Sequence, residues 1–600
     1  MGGRIVIPGA GFVPAVRTLP RLLSLPSIAY LVSDVLSRQC EPDNLPNALK
    51  LLVELPWYAR TGVSLLFLLA GRAVLKHQAR RWDRKRYGPD VLDVPYFKTW
   101  WPWNLSFIPF ILDSMENGYS AEGWIYFLDE YNNTVNLNLL GGDLIITSEP
   151  ESIRHMLSAD YASYEKGQAF RDKVFSALGN GLFNSDGETW KFHRNMTRPF
   201  FSRDRISQFD TLAHNSDKAI AKLLSRFEER SEDGKPIATD FQDLVQHFTL
   251  DSSAEFLFGS STQSLDTTLP YPHTSRSDNA NSAFAEAFRR IQEDILTRFS
   301  LDILWPWFEL WSDRTRENMS VIDSFIVPIM DERIKEKQQK KGESSDEDRL
   351  TLLDDLIHKG ASRKVIKDQM VNILVAGRDS TSGTLSFAVY LLATDPGALA
   401  KLRAEILKHV GPTDYPTAQH FKEMKYLRAV LDETLRFFPP LPINERTAIR
   451  STVLKSSGGK SFYIPVGTNL NFSVMHMHRR KDLWGPDADE FDPDRWLDER
   501  YKKYVGSNPF IFLPFSTGPR NCLGQQFAYN TMSFFLVRLL QKFEAITLVP
   551  EAQPIGTLPP PEWKGAPGRK GFEKIWPSYH LTQSCKGGLW VHMTPVKVVE

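Results

Sequence analysis

From Arg363 to Thr394 the sequence RKVIKDQMVNILVAGRDSTSGTLSFAVYLLAT carries apolar residues at helical spacing, with no proline before Asp395-Pro396, where the ring and the missing N–H end a helix. A helix this long and this apolar has to be buried on most of its sides, so the other elements must be arranged around it. Its middle breaks the pattern: Ala376 to Thr381, AGRDST, sets a helix-weakening glycine beside charged and hydroxyl groups, where burial makes every polar group costly. Polarity at that place needs a chemical reason.

The rest of the chain suits one large helical body. With 600 residues, 42% hydrophobic and 24% charged, the composition excludes a mostly disordered chain. Lys+Arg and Asp+Glu both total 72, so nothing in the net charge asks for a nucleic-acid partner. Cys40, Cys522 and Cys585 are too few and too scattered for a disulfide framework or a four-thiolate metal site. Residues 120–600 show long helical periodicities punctuated by Gly and Pro and no solenoid repeat, which predicts one compact domain. Glu336 to Arg349 and Asp266 to Asn279 read as polar loops. Ser461 to Val474 reads as strand, turn, strand, and His580 to Met593 as a hairpin bending at Gly587-Gly588. Gly458-Gly459-Lys460-Ser461 mimics the end of a phosphate loop, but Leu454 stands where its first glycine belongs, so a hairpin turn is expected. The fold class is therefore mainly α with small accessory β-sheets.

Residues 1–86 form a membrane-associated region with a candidate transmembrane helix over 57–75, where TGVSLLFLLAGRAVL follows Trp57 and Tyr58. A full span needs about 20 apolar residues, and Arg60 and Arg72 crowd the run, so a short interfacial or tilted helix is the alternative. Lys76, Arg80, Arg81, Arg84, Lys85 and Arg86 place the remainder in the cytosol by the positive-inside tendency, which leaves the sequons at Asn104, Asn132, Asn195, Asn318 and Asn471 unused. Met1 to Leu36 is a weaker hydrophobic stretch, broken by Pro8, Pro14, Pro20 and Pro26, without the apolar region of a cleavable signal peptide. Residues 87–119, rich in Pro and aromatics, are expected to be a stiff hinge.

The chemistry lies in Ile511 to Ala528, IFLPFSTGPRNCLGQQFA. A loop carrying Phe515, Gly518 and Arg520 leads to Cys522, and the apolar density that follows predicts a helix whose amino-terminal dipole would favour thiolate over thiol. Gly518 permits a tight turn and Gly524 a close approach of backbone to a flat cofactor. With no second cysteine or HExxH pattern nearby, a single axial thiolate suits haem iron better than zinc.

This segment resembles the cytochrome P-450 superfamily of haem-thiolate monooxygenases, whose Phe-x-x-Gly-x-Arg-x-Cys-x-Gly signature is matched in full by Phe515 to Gly524. Glu433 and Arg436 resemble the family's Glu-x-x-Arg pair, and Arg495 the arginine that completes its ion network. Trp190 and Arg194 resemble its Trp-x-x-x-Arg, with Arg194, Arg520 and Arg446 the implied partners of the haem propionates. The resemblance implies the family's fold, Cys522 as iron ligand and haem b (iron protoporphyrin IX) as cofactor. In the long helix it implies room for dioxygen beside Gly377, and proton delivery by Asp379 with the hydroxyl of Ser380 or Thr381. The family more often has Thr where Ser380 stands. The anchor, AGRDST and CLGQQFA look most like fungal membrane-bound hydroxylases of alkanes and fatty acids, some of whose relatives oxidise aromatic xenobiotics. The implied partners are membrane lipid, a hydrophobic substrate and a separate NADPH-dependent reductase, because no Gly-x-Gly-x-x-Gly unit is present. The implied location is the endoplasmic reticulum membrane, with the catalytic domain facing the cytosol. The competing activities are a haem-thiolate isomerase or dehydratase that needs no external electrons, and a non-enzymatic haem sensor or electron carrier.

Overall fold

The computed structural model of the chain describes residues 9–17, scattered positions over 27–35, and 55–597 apart from 140–141, 202–208, 231–233, 235, 274–279 and 340–350. Cys40, most of the Met1 to Leu36 stretch, and parts of the loops at Glu336 to Arg349 and Asp266 to Asn279 lie outside the described residues.

The elements that position the site are α1 (Trp57–Lys85), α2 (Gln168–Leu178), α3 (Gly187–Thr197), α4 (Asp210–Glu228), α5 (Phe241–Phe258), α6 (Ala280–Leu301), α7 (Thr315–Gln339), α8 (Leu352–His358), α9 (Arg363–Thr394), α10 (Pro396–His409), α11 (Lys425–Phe437) and α12 (Gln525–Lys542). The predicted central helix is α9. The Ser362 hydroxyl caps its start by accepting from the Val365 N–H, and Asp395 ends it while capping α10 through the Ala398 N–H at 2.9 Å. Ile366, Met370, Val371 and Leu374 belong to one apolar core, shared with α2, α5, α6, α7 and α8. Leu385 and Phe387 to Leu392 belong to a second, shared with α4, α5, α10, α11 and α12. Residues 376–381 thus occupy the seam between two cores, which is why α9 stays intact through its polar break: each half is held by its own packing.

The strands are β1 (Val91–Asp93), β2 (Thr134–Asn136), β3 (Leu144–Thr147), β4 (Tyr164–Glu165), β5 (Thr239–Asp240), β6 (Ile443–Ala448), β7 (Thr452–Lys455), β8 (Ser461–Ile464), β9 (Asn469–Ser473), β10 (Phe543–Leu548), β11 (Pro577–Tyr579), β12 (Gln583–Cys585) and β13 (Trp590–Pro595). They form sheets of order β2-β3-β9-β6-β4, β1-β8-β7, β10-β13-β5 and β11-β12. The Gly458-Gly459 turn does join a hairpin, β7 to antiparallel β8. The hairpin expected over His580 to Met593 does not form. Strands fall there and Gly587-Gly588 bends between them with positive φ, but β12 pairs with β11 while β13 pairs with β10 and β5. Likewise β8 and β9, flanking Pro465-Val466-Gly467, join different sheets. Sequence alternation predicts strands but not which neighbour they meet.

Residues 87–119, expected to be a stiff hinge, pack in part on the body. β1 pairs in parallel with β8, and Phe107 and Ile111 are buried against Phe127, Leu128 and Val135. Helix α1 is long and apolar enough to cross a membrane, and little of its apolar window is buried in the protein. Its basic end docks on the body instead of standing free: Arg80 pairs with Asp143, Arg84 with Asp93, and Asp83 accepts from the Tyr463 hydroxyl. The Asn104 and Asn471 side chains are buried, which leaves no room for glycans there.

Candidate active site

The Cys522 loop is fixed from both sides. The Cys522 N–H donates to the Phe515 carbonyl at 3.0 Å, and the Phe515 ring packs 5.1 Å from that of Tyr529 on α12. Gly518 adopts φ +72°, and a Cβ there would lie 1.9 Å from the Leu157 carbonyl oxygen, so no other residue fits. Beside Gly524 a Cβ would meet only Phe201, at 3.8 Å, so the backbone borders open space as a flat cofactor requires.

Helix α12 starts at Gln525 with Gly524 as its cap, which places Cys522 just ahead of the helix. The sulfur-bearing side chain presents surface to that space although protein surrounds it. Burial pushes the thiol above its ordinary value, against the pull of the Gly524 amide and the Arg194 charge. The Gly524 amide pulls toward the thiolate, as expected of the helix start, and a bound cation would ionise this sulfur.

Around the loop stands a group of basic side chains. On α3, Arg194 donates to the Asn521 carbonyl at 3.0 Å and to its side chain. Arg520 pairs with Asp186 at 2.7 Å and donates to the Ser185 carbonyl, leaving its buried Nε without a partner. The buried Trp190 ring lies under both guanidiniums, 5.6 Å from that of Arg194 and 4.6 Å from that of Arg520. Arg446, buried on β6, bonds only the Glu445 carbonyl and Asn444; burial first and then Arg520 lower its pKa to about 10.

A fourth cation was not legible in the sequence. Lys166 donates to Asn444 at 2.9 Å and lies over the Phe170 ring, and burial, then the Arg446 charge, lower its pKa. Nothing in Tyr164-Glu165-Lys166-Gly167 signals this, because only the pairing of β4 with β6 brings it beside Asn444. The hydrogen bonds of Arg194, Arg446 and Lys166 go to carbonyls and asparagines, and Asp186 and Glu445 are the carboxylates that act on this group, so its basic side chains outnumber them and can take a further anionic group. A lone thiol facing open space, glycine-backed walls and an excess of basic side chains fit an iron porphyrin with two carboxylates. Among the described residues no three His, Cys, Asp or Glu side chains converge as a metal site.

At the seam of α9, Ala376, Gly377 and Ser380 keep partial exposure in an otherwise buried stretch. A Cβ on Gly377 would lie 3.0 Å from the Ser253 Oγ of α5, so the glycine also lets α5 approach. The Ser380 hydroxyl donates back to the Ala376 carbonyl at 2.6 Å, which tends to bend a helix and leaves its oxygen free to accept. Thr381 is buried on another side. Asp379 accepts from Arg378 and from Gln292 of α6, both at 2.8 Å, and burial pushes its carboxyl above the ordinary range. The acid expected to serve protons is therefore held by a neighbouring base and by an amide that sequence reading did not single out. Gln292 also lines a small pocket, of about 20 Å³, that is otherwise apolar and walled by Phe288, Ile291, Ile322, Val371 and Val375.

Glu433 and Arg436 of α11 are fully buried and joined by two hydrogen bonds of 2.9 and 2.8 Å; Arg495 approaches at 3.5 Å and the Trp496 indole donates at 2.9 Å. They touch neither Cys522 nor the cations, so their part is to hold the loops together.

A family model described as Cytochrome P-450 matches residues 97–561. Among curated proteins, the chain is 32% identical over 514 residues to cytochrome P-450 52A6 of Candida tropicalis, covering 84% of this chain and 91% of that protein. It is 35% identical over 422 residues to cytochrome P-450 52E1 of Candida apicola, covering 68% and 77%. It is also 35% identical over 434 residues to cytochrome P-450 monooxygenase pvhE of Talaromyces variabilis, covering 69% and 76%.

Proposed function

Because the chain belongs to the cytochrome P-450 family and is an oxidoreductase with a haem-iron cofactor, a redox partner and hydrophobic substrates, we propose that it hydroxylates the hydrocarbon chain of n-alkanes and fatty acids. The observation that carries this reading is the double role of Gln292, which lines the apolar cavity and holds Asp379. An apolar pocket, with room for the end of a saturated chain, thus abuts the polar break where protons would be handled. Aromatic xenobiotics are the second substrate class, favoured by Phe288 in the cavity wall.

Haem b, bound through Cys522, supplies the reductive activation of dioxygen and the transfer of one of its atoms. Arg194, Arg446, Arg520 and Lys166 would hold the porphyrin carboxylates, and Trp190 supports two of these guanidiniums. Ser380 presents an accepting oxygen to the interior, and Asp379 exchanges protons from its anchored position on Arg378 and Gln292. An isomerase that draws on no external electrons has no use for such a buried acid. Electrons come from an NADPH-dependent reductase. Region 1–86 attaches the chain to the endoplasmic reticulum membrane, with the catalytic domain in the cytosol.

The test is a spin-state titration of the purified haem protein with alkanes, fatty acids and polycyclic aromatics. NADPH and oxygen consumption with a reductase, and product analysis, follow. Hydroxylated aliphatic products are expected. Turnover confined to aromatics would replace the substrate class, and substrate rearrangement without NADPH would replace the reaction.

A further inference from the structure

The segment before the anchor is docked on the catalytic body. Residues 12–17 form a short helical stretch, and the turn ahead of it bonds backbone to backbone with the loop that joins α6 to α7. The Gly9 N–H donates to the Leu310 carbonyl at 3.0 Å, Ala10 to Ser312 at 3.1 Å and Gly11 to Glu309 at 3.1 Å. Two glycines make this approach possible. A Cβ on Gly9 would lie 2.2 Å from the Ser312 carbonyl oxygen, and one on Gly11 would lie 2.1 Å from that of Pro306. Ala15 is buried, Phe12 packs against Trp311, and Arg17 pairs with Asp172 of α2 at 3.0 Å. The receiving loop is itself fixed to the body, because the buried Arg298 of α6 clasps Glu309 with both ends of its guanidinium, at 2.8 and 2.7 Å, and donates to the Lys173 carbonyl.

This docking conflicts with the simplest topology of the anchor. Helix α1 is bound to the body at Arg80 and Arg84, and its other end, Trp57, lies roughly 35 Å away along the helix axis at 1.5 Å per residue. A bilayer core is about 30 Å thick, so a single through-crossing by α1 would leave everything before Trp57 on the face opposite the catalytic body. Residues 9–17 cannot be there and also bond to Glu309, Leu310, Ser312 and Asp172.

Building on the membrane attachment proposed above, we infer that the arm of residues 9–17 lies on the same side of the membrane as the catalytic domain, so that α1 is not a lone through-span. The chain between Arg17 and Trp57 is long enough to return: at about 3.3 Å per extended residue it reaches well over 100 Å. The surface around the junction suits a lipid boundary, since Val13 and Val16 of the arm are exposed beside Leu304, Trp307, Phe308 and Trp311 of the loop. The arm therefore makes a second membrane contact on the catalytic side.

The experiment uses the full chain in sealed microsomes, with one tag at the amino terminus and another at the carboxyl terminus. Alkaline carbonate first tests attachment: retention in the pellet is expected, and release would overturn the membrane reading and this topology with it. Protease added without detergent is expected to remove both tags at similar rates. An amino-terminal tag that survives until detergent is added, while the other is lost, would overturn the inference and leave attachment standing. Gly11→Val, which drives a side chain into the Pro306 backbone, should speed tryptic cleavage after Arg17 several-fold with the carbon monoxide spectrum unaltered. An unchanged cleavage rate would equally overturn the docking.

Discussion

Glu433 offers the sharpest test of how this fold is held, because it can be compared with a residue of identical spacing and opposite surroundings. Glu433 and Arg436 are an i,i+3 pair, as are Glu188 and Lys191, but the first pair is fully buried and Glu188 is 87% exposed. The Glu433 carboxylate accepts two bonds from Arg436, one from the Trp496 indole and one from the Asp492 N–H at 3.2 Å. Glu433→Gln keeps the shape, removes the charge and turns an NH2 toward guanidinium donors, so Arg436 is left as an uncompensated buried cation. Breaking a buried pair from one side costs about 3–5 kcal/mol, a large fraction of the roughly 5–15 kcal/mol by which domains are stable. Glu188→Gln on the surface should cost less than about 1 kcal/mol. Replacing both partners, Glu433→Leu with Arg436→Met, should not restore the loss, because Arg436 also serves the carbonyls of His478 and Ala488 at 3.0 and 2.7 Å. The assay is urea unfolding of the haem-loaded protein followed by circular dichroism and by the carbon monoxide spectrum. If Glu433→Gln costs no more than Glu188→Gln, the assignment of this network as the clasp of the loops is refuted.

Cys522→Ala should abolish retention of the porphyrin and the thiolate-type carbon monoxide spectrum; unaltered binding and spectrum would remove the basis of the site. Ser380→Ala should lower the fraction of electrons that reach product and raise hydrogen peroxide release, and unchanged leakage and turnover would exclude its hydroxyl from proton handling. His478 accepts from the Leu513 N–H at 2.9 Å, and burial, then the Arg436 charge, depress it from 6.5 to about 3. The unfolded chain binds a proton there that the folded chain refuses. Stability should therefore fall as pH drops from 6.5 toward 3, by up to about 1.4 kcal/mol per pH unit. His478→Gln, which keeps an acceptor, should flatten that part of the acid-unfolding curve, and an unchanged slope would disprove the linkage.

The shape of the cysteine loop was legible because much of it is local: the positive φ at Gly518, the ring contact of Phe515 and the start of α12 depend on residues close in the chain, although Leu157 also forbids a Cβ at 518. Helix α9 was legible for a similar reason, since its length and apolar density leave few ways to fold it. What could not be read was each pairing between distant segments. The supposed hairpin after His580 divides between two sheets, Lys166 reaches Asn444 across 278 positions, and Gln292 reaches Asp379 across 87.

The sequence by itself determined a helical body around one buried helix, a polar break in that helix, and a lone cysteine at a glycine-shaped turn. These follow from periodicity and backbone sterics, which act over a few residues. Only the tertiary structure decided that the break falls at the seam of two cores, that burial raises the Cys522 thiol, that Asp379 is held by Arg378 and Gln292, and that the arm before the anchor returns to the body. Desolvation and ion pairing depend on which groups the whole chain brings within a few ångströms, and no short stretch of sequence carries that information.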